Sequence, residues 1–343
     1  MIAWITTWNI KCGIATYSRS LIEHFDDVLV LAQKGEGDVD QAIPCWKRDT
    51  PYFEEIIAQI ISRNIDTVVI QHQPGLFRFK FLNILLLKLA ELEIKVFITL
   101  HNTRDRSLIF PSKRIEKAVD GLSTCSTIMV HRESDVENLS SLGIKGNVVM
   151  IPHGVYPPPS NKAETIQMHG RTLGTFGFLL PHKGQLELID AFSKLDNWDS
   201  LLMLCATREG TGNTLTKANA LIKKHNIGKN VKLITDFIDD EVAIASLANC
   251  ELLAFPYQNT KESASGAVRM GVASGSAIAV TPIPIFDDID GAIKMSGNSA
   301  NQIASSISVI TDSQIKESEE KIINLRDSLQ WDNISLQIQA LLK

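Results

Sequence analysis

The chain has only five cysteines in 343 residues, scattered at Cys12, Cys45, Cys125, Cys205 and Cys250 without metal-type spacing. An odd, dispersed set excludes a disulfide framework and a paired-cysteine metal site, and fits a reducing compartment. Long apolar runs are missing as well. The most apolar stretch, Phe81 to Leu92, is broken by Asn83 and Lys88 and is too short to cross a bilayer. The opening residues have neither a basic leader nor an extended apolar segment, so no signal peptide is expected and a cytoplasmic location is. Positive charge is also short, with 34 Lys and Arg against 39 Asp and Glu, net −5. That balance argues against a general nucleic-acid binder.

What is present is ordinary for a globular protein: 44% hydrophobic and 21% charged residues, in a chain long enough for two domains. Short apolar runs alternate with helical spacing throughout. Residues 2–6, 28–31, 67–71, 96–100, 127–130 and 148–151 read as buried strands, with helices over 15–24, 51–63 and 81–92 between them. Unalternating strands separated by helices predict parallel sheet covered on both faces. Pro157-Pro158-Pro159-Ser160-Asn161 interrupts this rhythm, and residues 156–170 read as a linker. Strands at 173–176, 201–205, 231–234, 252–255 and 277–280 then build a second sheet, with helices over 185–195, 214–225 and 240–248. The expected architecture is α/β: a domain over 1–155, a linker, and a second domain over 171–330. Both are doubly wound Rossmann-like parallel sheets, with ligands at their strand carboxyl ends in a facing cleft.

Four places carry chemistry. Gly13, in Lys11-Cys12-Gly13-Ile14-Ala15-Thr16-Tyr17, precedes the first helix, where free N–H groups suit an anion; it matches neither the dinucleotide-binding pattern nor the P-loop, and a structural turn is the alternative. His101 follows a buried strand, where neutral imidazole can bond a hydroxyl or phosphate oxygen; His72 and His153 are placed similarly, and each alone also fits a satisfied structural histidine. The stretch Gly177-Phe178-Leu179-Leu180-Pro181-His182-Lys183-Gly184 follows the first strand of the second sheet. Lys183 is either a diphosphate-binding ammonium or an exposed loop residue. Finally, Glu262-Ser263-Ala264-Ser265-Gly266-Ala267 opens a helix whose small residues leave N–H donors for phosphate, and Glu262 either accepts from sugar hydroxyls or complements the helix dipole.

In this order the motifs resemble the GT-B glycosyltransferases of the group 1 class (family 4), across nearly the whole chain. The opening Cys-Gly-Ile-Ala-Thr is similar to a subgroup that begins this way. Ile151-Pro-His-Gly-Val155, the 177–184 loop and Glu262-Ser263 follow in family order. Trp331 resembles the tryptophan before a last helix, here 331–343, that returns to the first domain. The resemblance implies a retaining hexosyltransferase that takes a nucleotide diphosphate sugar, needs no metal or other cofactor, and serves bacterial surface polysaccharide synthesis. It places Gly13 by the diphosphate, His101 on the transferred sugar, Lys183 on the phosphates and Glu262 on the hexose. Phe178, Ser263, Ser265, Gly266 and Arg269 become donor-side candidates, with His72 and His153 on the acceptor side. Two positions depart from the pattern. Met270 stands where a second glutamate binds the ribose, and Phe178 where an arginine precedes the lysine; Arg269 is a candidate to restore that charge.

A metal-dependent transferase would need an Asp-x-Asp pair after an early strand, and Asp288-Ile289-Asp290 reads instead as a solvated turn. A nucleotide-sugar epimerase and a catalytically silent nucleotide-sugar-binding scaffold remain alternatives. From Arg78 to Lys117 nine basic residues face four acidic ones. This stretch is either a peripheral contact for an anionic membrane, bringing a lipid-linked or glycan acceptor to the first domain, or a core helix with a solvated face.

Overall fold

The fold is known from a computed structural model that describes residues 1–10, 12–35, 42–103, 111–208, 210–258, 260 and 264–343, apart from the Lys113 side chain. Two compact units divide the chain. One contains Met1–Gly154 and Trp331–Lys343; the other contains Val155–Thr260 and Ser265–Gln330.

In the first unit, strands β1 (Ile2–Ile5), β2 (Val28–Gln33), β3 (Ala42–Trp46), β4 (Thr67–His72), β5 (Lys95–Leu100), β6 (Thr127–Val130) and β7 (Val148–Met150) form one sheet in the order β3-β2-β1-β4-β5-β6-β7. Every pairing is parallel. Its helices are α1 (Gly13–Ile22), α2 (Glu54–Ser62), α3 (Phe79–Glu91), α4 (Val119–Ser123) and α5 (Glu133–Ser141). The sheet's two faces differ. Ala3, Ile5, Val68, Ile70, Ile98 and Ile128 join an apolar core with α2 and α3. The opposite face, one residue out of step, becomes polar toward the strand ends, with Thr6, Gln71 and Thr99 all buried.

The second unit has β8 (Thr172–Phe176), β9 (Ser200–Leu204), β10 (Val231–Ile234), β11 (Leu252–Phe255), β12 (Ala277–Val280) and β13 (Ile293–Lys294), ordered β10-β9-β8-β11-β12-β13 and again wholly parallel. Helices α6 (Gln185–Phe192), α7 (Gly212–Lys224), α8 (Asp240–Leu247), α9 (Gly266–Ser274), α10 (Ala300–Ser308) and α11 (Asp312–Ser328) cover it. The last helix, α12 (Trp331–Leu342), belongs to the first unit and packs on α1, where the Gln339 amide donates to the His24 carbonyl at 2.6 Å.

Two differences from the sequence expectation have a clear physical reason. β3 carries Pro44, which a central strand would not tolerate; at the sheet edge the missing N–H costs no ladder bond. The stretch read as a linker is part of the second unit: the Ile166 amide donates to Ser246 Oγ at 2.9 Å, and Ile166 and Met168 pack on that unit's core. Proline there sets direction without loosening the chain.

In an open parallel sheet, ligands collect beyond the carboxyl ends of the strands where chain order reverses. Here those strands are β1 and β4 in the first unit and β8 and β11 in the second.

Candidate functional site

In the second unit the loops after β8 and β11 are tied together. The Gln258 amide donates to the His182 carbonyl at 2.8 Å. Lys183 is 8% exposed, and its Nζ lies 4.0 Å from the centre of the Tyr257 ring. An ammonium loses hydration on burial, and the negative ring face offsets part of that loss. Tyr257 Oη in turn shares a hydrogen bond of 2.7 Å with Ser265 Oγ, which caps α9 by accepting from the Val268 amide. One chain of contacts therefore runs from the Lys183 cation to the positive end of α9. A β-carbon on Gly266, the first residue of α9, would meet nothing within 4 Å among the described residues. The second unit thus presents a lysine and a helix N-terminus, an arrangement suited to a phosphate group.

Phe178, half-buried, occupies the same loop. The Arg208 guanidinium lies 5.3 Å above its ring. The Leu179 amide donates to the Ala206 carbonyl at 2.9 Å, which binds the β8 and β9 loops and brings these two residues together. Arg208 is exposed, and stacking leaves its N–H groups available for an anion. Nothing in the sequence places Arg208 beside Phe178; the parallel pairing of β8 with β9 does.

In the first unit the strand ends carry a row of histidines. His72 closes β4, His101 and His131 each follow the last residue of β5 and β6, and His153 lies three past β7. Register sets their neighbours. Gln71 pairs with Thr99, and Thr99 with Met129, so Gln71, His101 and His131 share one face. His101 Nε2 lies 2.9 Å from Gln71 Oε1, and His101 Nδ1 lies 3.2 Å from His131 Nε2. The far nitrogen of His131 donates to the Ile151 carbonyl at 3.0 Å. Tyr17 of α1 sits edge-on to His101, His131, His153 and Trp331, with ring centres 4.7 to 5.6 Å away. Burial, with His131, His153 and His72 nearby, holds His101 well below the usual imidazole range, so its ring is neutral near pH 7. Burial raises the Tyr17 hydroxyl, which stays protonated. A β-carbon on Gly154 would lie 2.3 Å from the Trp331 ring, so the glycine of Pro152-His153-Gly154 makes room for the first residue of α12. Gly13 opens α1 with nothing within 4 Å of a β-carbon, and no side chain caps that helix.

Several expectations need correction. His72 is wholly buried and bonds the Phe77 carbonyl at 2.9 Å, so it holds the turn after β4 and does not face an acceptor. Arg269 is 3% exposed and pairs with Asp288, so it does not supply the charge missing at Phe178. For the same reason Asp288 is the anchor of a buried arginine, not part of a solvated turn. Met270 is buried in the core of the second unit. His101 has both ring nitrogens engaged within the first unit. His153 Nδ1 bonds the carbonyl of Gly154 at 2.8 Å, and its ring remains partly exposed. Glu262 and Ser263 lie outside the described residues, as does Asp38-Val39-Asp40, a second Asp-x-Asp sequence. Among the described residues no group of three or more His, Cys, Asp or Glu could hold a metal ion. Nor is any described helix long and apolar enough to cross a membrane. Arg78 and Lys88, from the basic stretch, pair with Asp49 and Glu91. Cys45, Cys125, Cys205 and Cys250 are buried thiols pushed up to about 12, which excludes them as nucleophiles near neutral pH.

Two parallel α/β sheets of seven and six strands, with the terminal helix belonging to the first unit, define the GT-B class of fold. Solved structures of this fold cover the chain almost end to end. A glycosyltransferase from Rickettsia africae matches at 15% identity and TM-score 0.77, over 100% of this chain and 97% of that one. HepE from Anabaena, solved in complex with UDP, matches at 12% identity and TM-score 0.76, over 99% of both chains. Sucrose-phosphate synthase from Thermosynechococcus elongatus matches at 14% identity and TM-score 0.76, over 99% and 97%. No protein-family model matches the chain, and no curated protein does.

Proposed function

We propose that this protein is a glycosyltransferase whose second unit holds the diphosphate of a nucleotide-sugar donor. The observation that carries the reading is the linkage of Lys183, Tyr257 and the Ser265 cap, which ties a buried cation to the N-terminus of α9. As the sugar leaves, negative charge builds on the departing diphosphate. A fixed ammonium and aligned amides favour that charge more than the charge of the bound donor, and so lower the barrier. Lys183 and Gly266 are the residues assigned to this task, with Arg208 on its Phe178 platform adding a guanidinium that bonds phosphate oxygens in a fork.

The similarity to HepE, which has also been solved with UDP-glucose, supports a uridine nucleotide and a hexose as the first donor to try. We further propose retention of anomeric configuration, with protein cations and helix termini in place of a metal, His101 on the transferred sugar and His153 on the acceptor side. A glycan or lipid-linked acceptor of surface polysaccharide synthesis completes the reading.

The test is a thermal-shift screen of UDP, UDP-glucose and GDP-mannose, followed by mass spectrometry for sugar transfer and for donor hydrolysis. Stabilisation by one nucleotide sugar, with release of its nucleoside diphosphate, is expected. Interconversion of free nucleotide sugars without any acceptor would instead establish an epimerase.

A further inference from the structure

Along the carboxyl edge of the second sheet the side-chain chemistry changes from one strand to the next. The loops after β8 and β9 bring the cations Lys183 and Arg208. The loop after β10, the edge strand, reads Thr235-Asp236-Phe237-Ile238-Asp239, with two acids and no base. Of the aromatic side chains that the structure describes in this unit, only Phe237 is exposed, at 47%. Its backbone is held at both ends. The Thr207 amide donates to the Thr235 carbonyl at 2.9 Å, and the Thr207 hydroxyl donates to the same oxygen at 3.3 Å. Asp239 caps α8 by accepting from the Glu241 amide. β9 and β10 therefore enter their loops side by side. Arg208 lies one residue past the joint on one strand, and Phe237 two residues past it on the other.

We propose that Phe237 is the platform on which the base of the nucleotide donor stacks. The proposal rests on the donor reading above and adds the place of the base. Neighbouring strands lie about 4.8 Å apart, so the β10 loop stands roughly 10 Å along the edge from the β8 loop that delivers Lys183. That separation matches the reach of a nucleoside from its own diphosphate. With the phosphates on Lys183, Arg208 and the start of α9, the nucleoside extends over β9 toward β10. Charge favours the same orientation. The carboxylates of Asp236 and Asp239 repel a phosphate, but they tolerate an uncharged base, whose N–H groups can donate to them. Stacking on the Phe237 ring gives the base a position without selecting its identity, because every base has a π-face.

The experiment titrates the full chain with UDP, GDP and inorganic pyrophosphate by calorimetry. The tighter of the two nucleotides in the wild type serves as the probe for the variants. Phe237 is exposed, so Phe237→Ala should keep the wild-type unfolding midpoint. It should weaken the nucleotide about tenfold, the scale of one lost base–aromatic stack, and leave pyrophosphate unchanged. Phe237→Tyr keeps a ring and should bind the nucleotide as the wild type does. Phe237→Trp adds an optical readout. Relative to the wild type, the introduced tryptophan should be quenched by the nucleotide and not by pyrophosphate. A nucleotide that binds without this quench would overturn the proposal, and so would equal losses for nucleotide and pyrophosphate in Phe237→Ala. A changed oligomeric state in Phe237→Ala, with nucleotide affinity intact, would overturn it by assigning the ring to a contact between copies.

The kinetic counterpart is donor turnover. A base stacked in the bound donor stays stacked in the transition state, so Phe237→Ala should lower kcat/KM about tenfold through KM. The two readings fail differently. A wild type that binds neither UDP nor GDP would sink the donor reading, and the platform with it. An enzyme that binds and turns over a nucleotide sugar equally well with and without the Phe237 ring would sink the platform alone.

Discussion

A side-chain carbon placed on Gly184 would lie 1.8 Å from the carbonyl oxygen of Pro256. Gly184 also has φ of +70°, in the left-handed region, and it ends the turn that delivers Lys183 before α6 begins. Both constraints arise from backbone, which cannot swing aside as a flexible side chain would. Gly184→Ala should therefore cost about 2 kcal/mol or more and separate the β8 and β11 loops. Urea unfolding followed by tryptophan fluorescence checks the stability, and the variant should also lose donor binding. A variant as stable as wild type would mean that these loops are not packed as described.

Arg208 and Phe178 make a narrower prediction. If the stacked guanidinium bonds a donor phosphate, Arg208→Ala should weaken binding of a nucleoside diphosphate roughly tenfold. Arg208→Lys should recover only part of this, because an ammonium does not reproduce the fork. Phe178→Ala should weaken binding to a similar degree through loss of the platform, without lowering the unfolding midpoint much, since Phe178 is only half-buried. Titration of each variant with UDP compares the three. Equal affinities across the set would remove Arg208 from the site.

Acid stability should depend on His72. Burial lowers its pKa to about 4, against about 6.5 for an exposed histidine, and the Phe77 carbonyl opposes the shift only in part. The unfolded chain therefore binds a proton that the folded chain refuses. Stability is complete above about pH 6.5 and falls as the pH drops toward 4, by about 3 kcal/mol for this group at the lower limit. Glutamine keeps a donor for the Phe77 carbonyl and does not titrate. Urea midpoints at pH 7 and pH 5 should differ less for His72→Gln than for the wild type, and an equal difference would assign the acid sensitivity elsewhere.

Much of this architecture is legible from the sequence because parallel strands are apolar throughout and so stand out against helical spacing. The reading of strands at 127–130, 231–234, 252–255 and 277–280 matches the structure residue for residue. β3 escaped because Pro44 reads as a breaker until the strand is known to be an edge. Lys183 was visible because it sits in a strand-to-helix loop with a glycine behind it. Its partner Tyr257 lies 74 positions further along, and only the adjacency of β8 and β11 joins them. His131 is the instructive omission. It follows its strand just as His101 does, and the signal that marks His72, His101 and His153 marks it equally. What the sequence could not supply was register, which puts His101 and His131 side by side while His72 turns inward to the Phe77 carbonyl. Arg269 fails for a related reason: helix spacing leaves its direction open, and Asp288 decides it.

The central claim is that the second unit grips a nucleotide diphosphate through the Lys183–Tyr257–Ser265 linkage, and calorimetric titration with UDP and UDP-glucose tests it most directly. The wild type should bind with an affinity that Lys183→Ala reduces, and donor turnover in that variant should fall about 100- to 1,000-fold. Tyr257→Leu, which removes both the ring under the ammonium and the bond to the Ser265 cap, should weaken binding in the same direction. Undiminished affinity and turnover in Lys183→Ala, with the protein folded, would contradict the account.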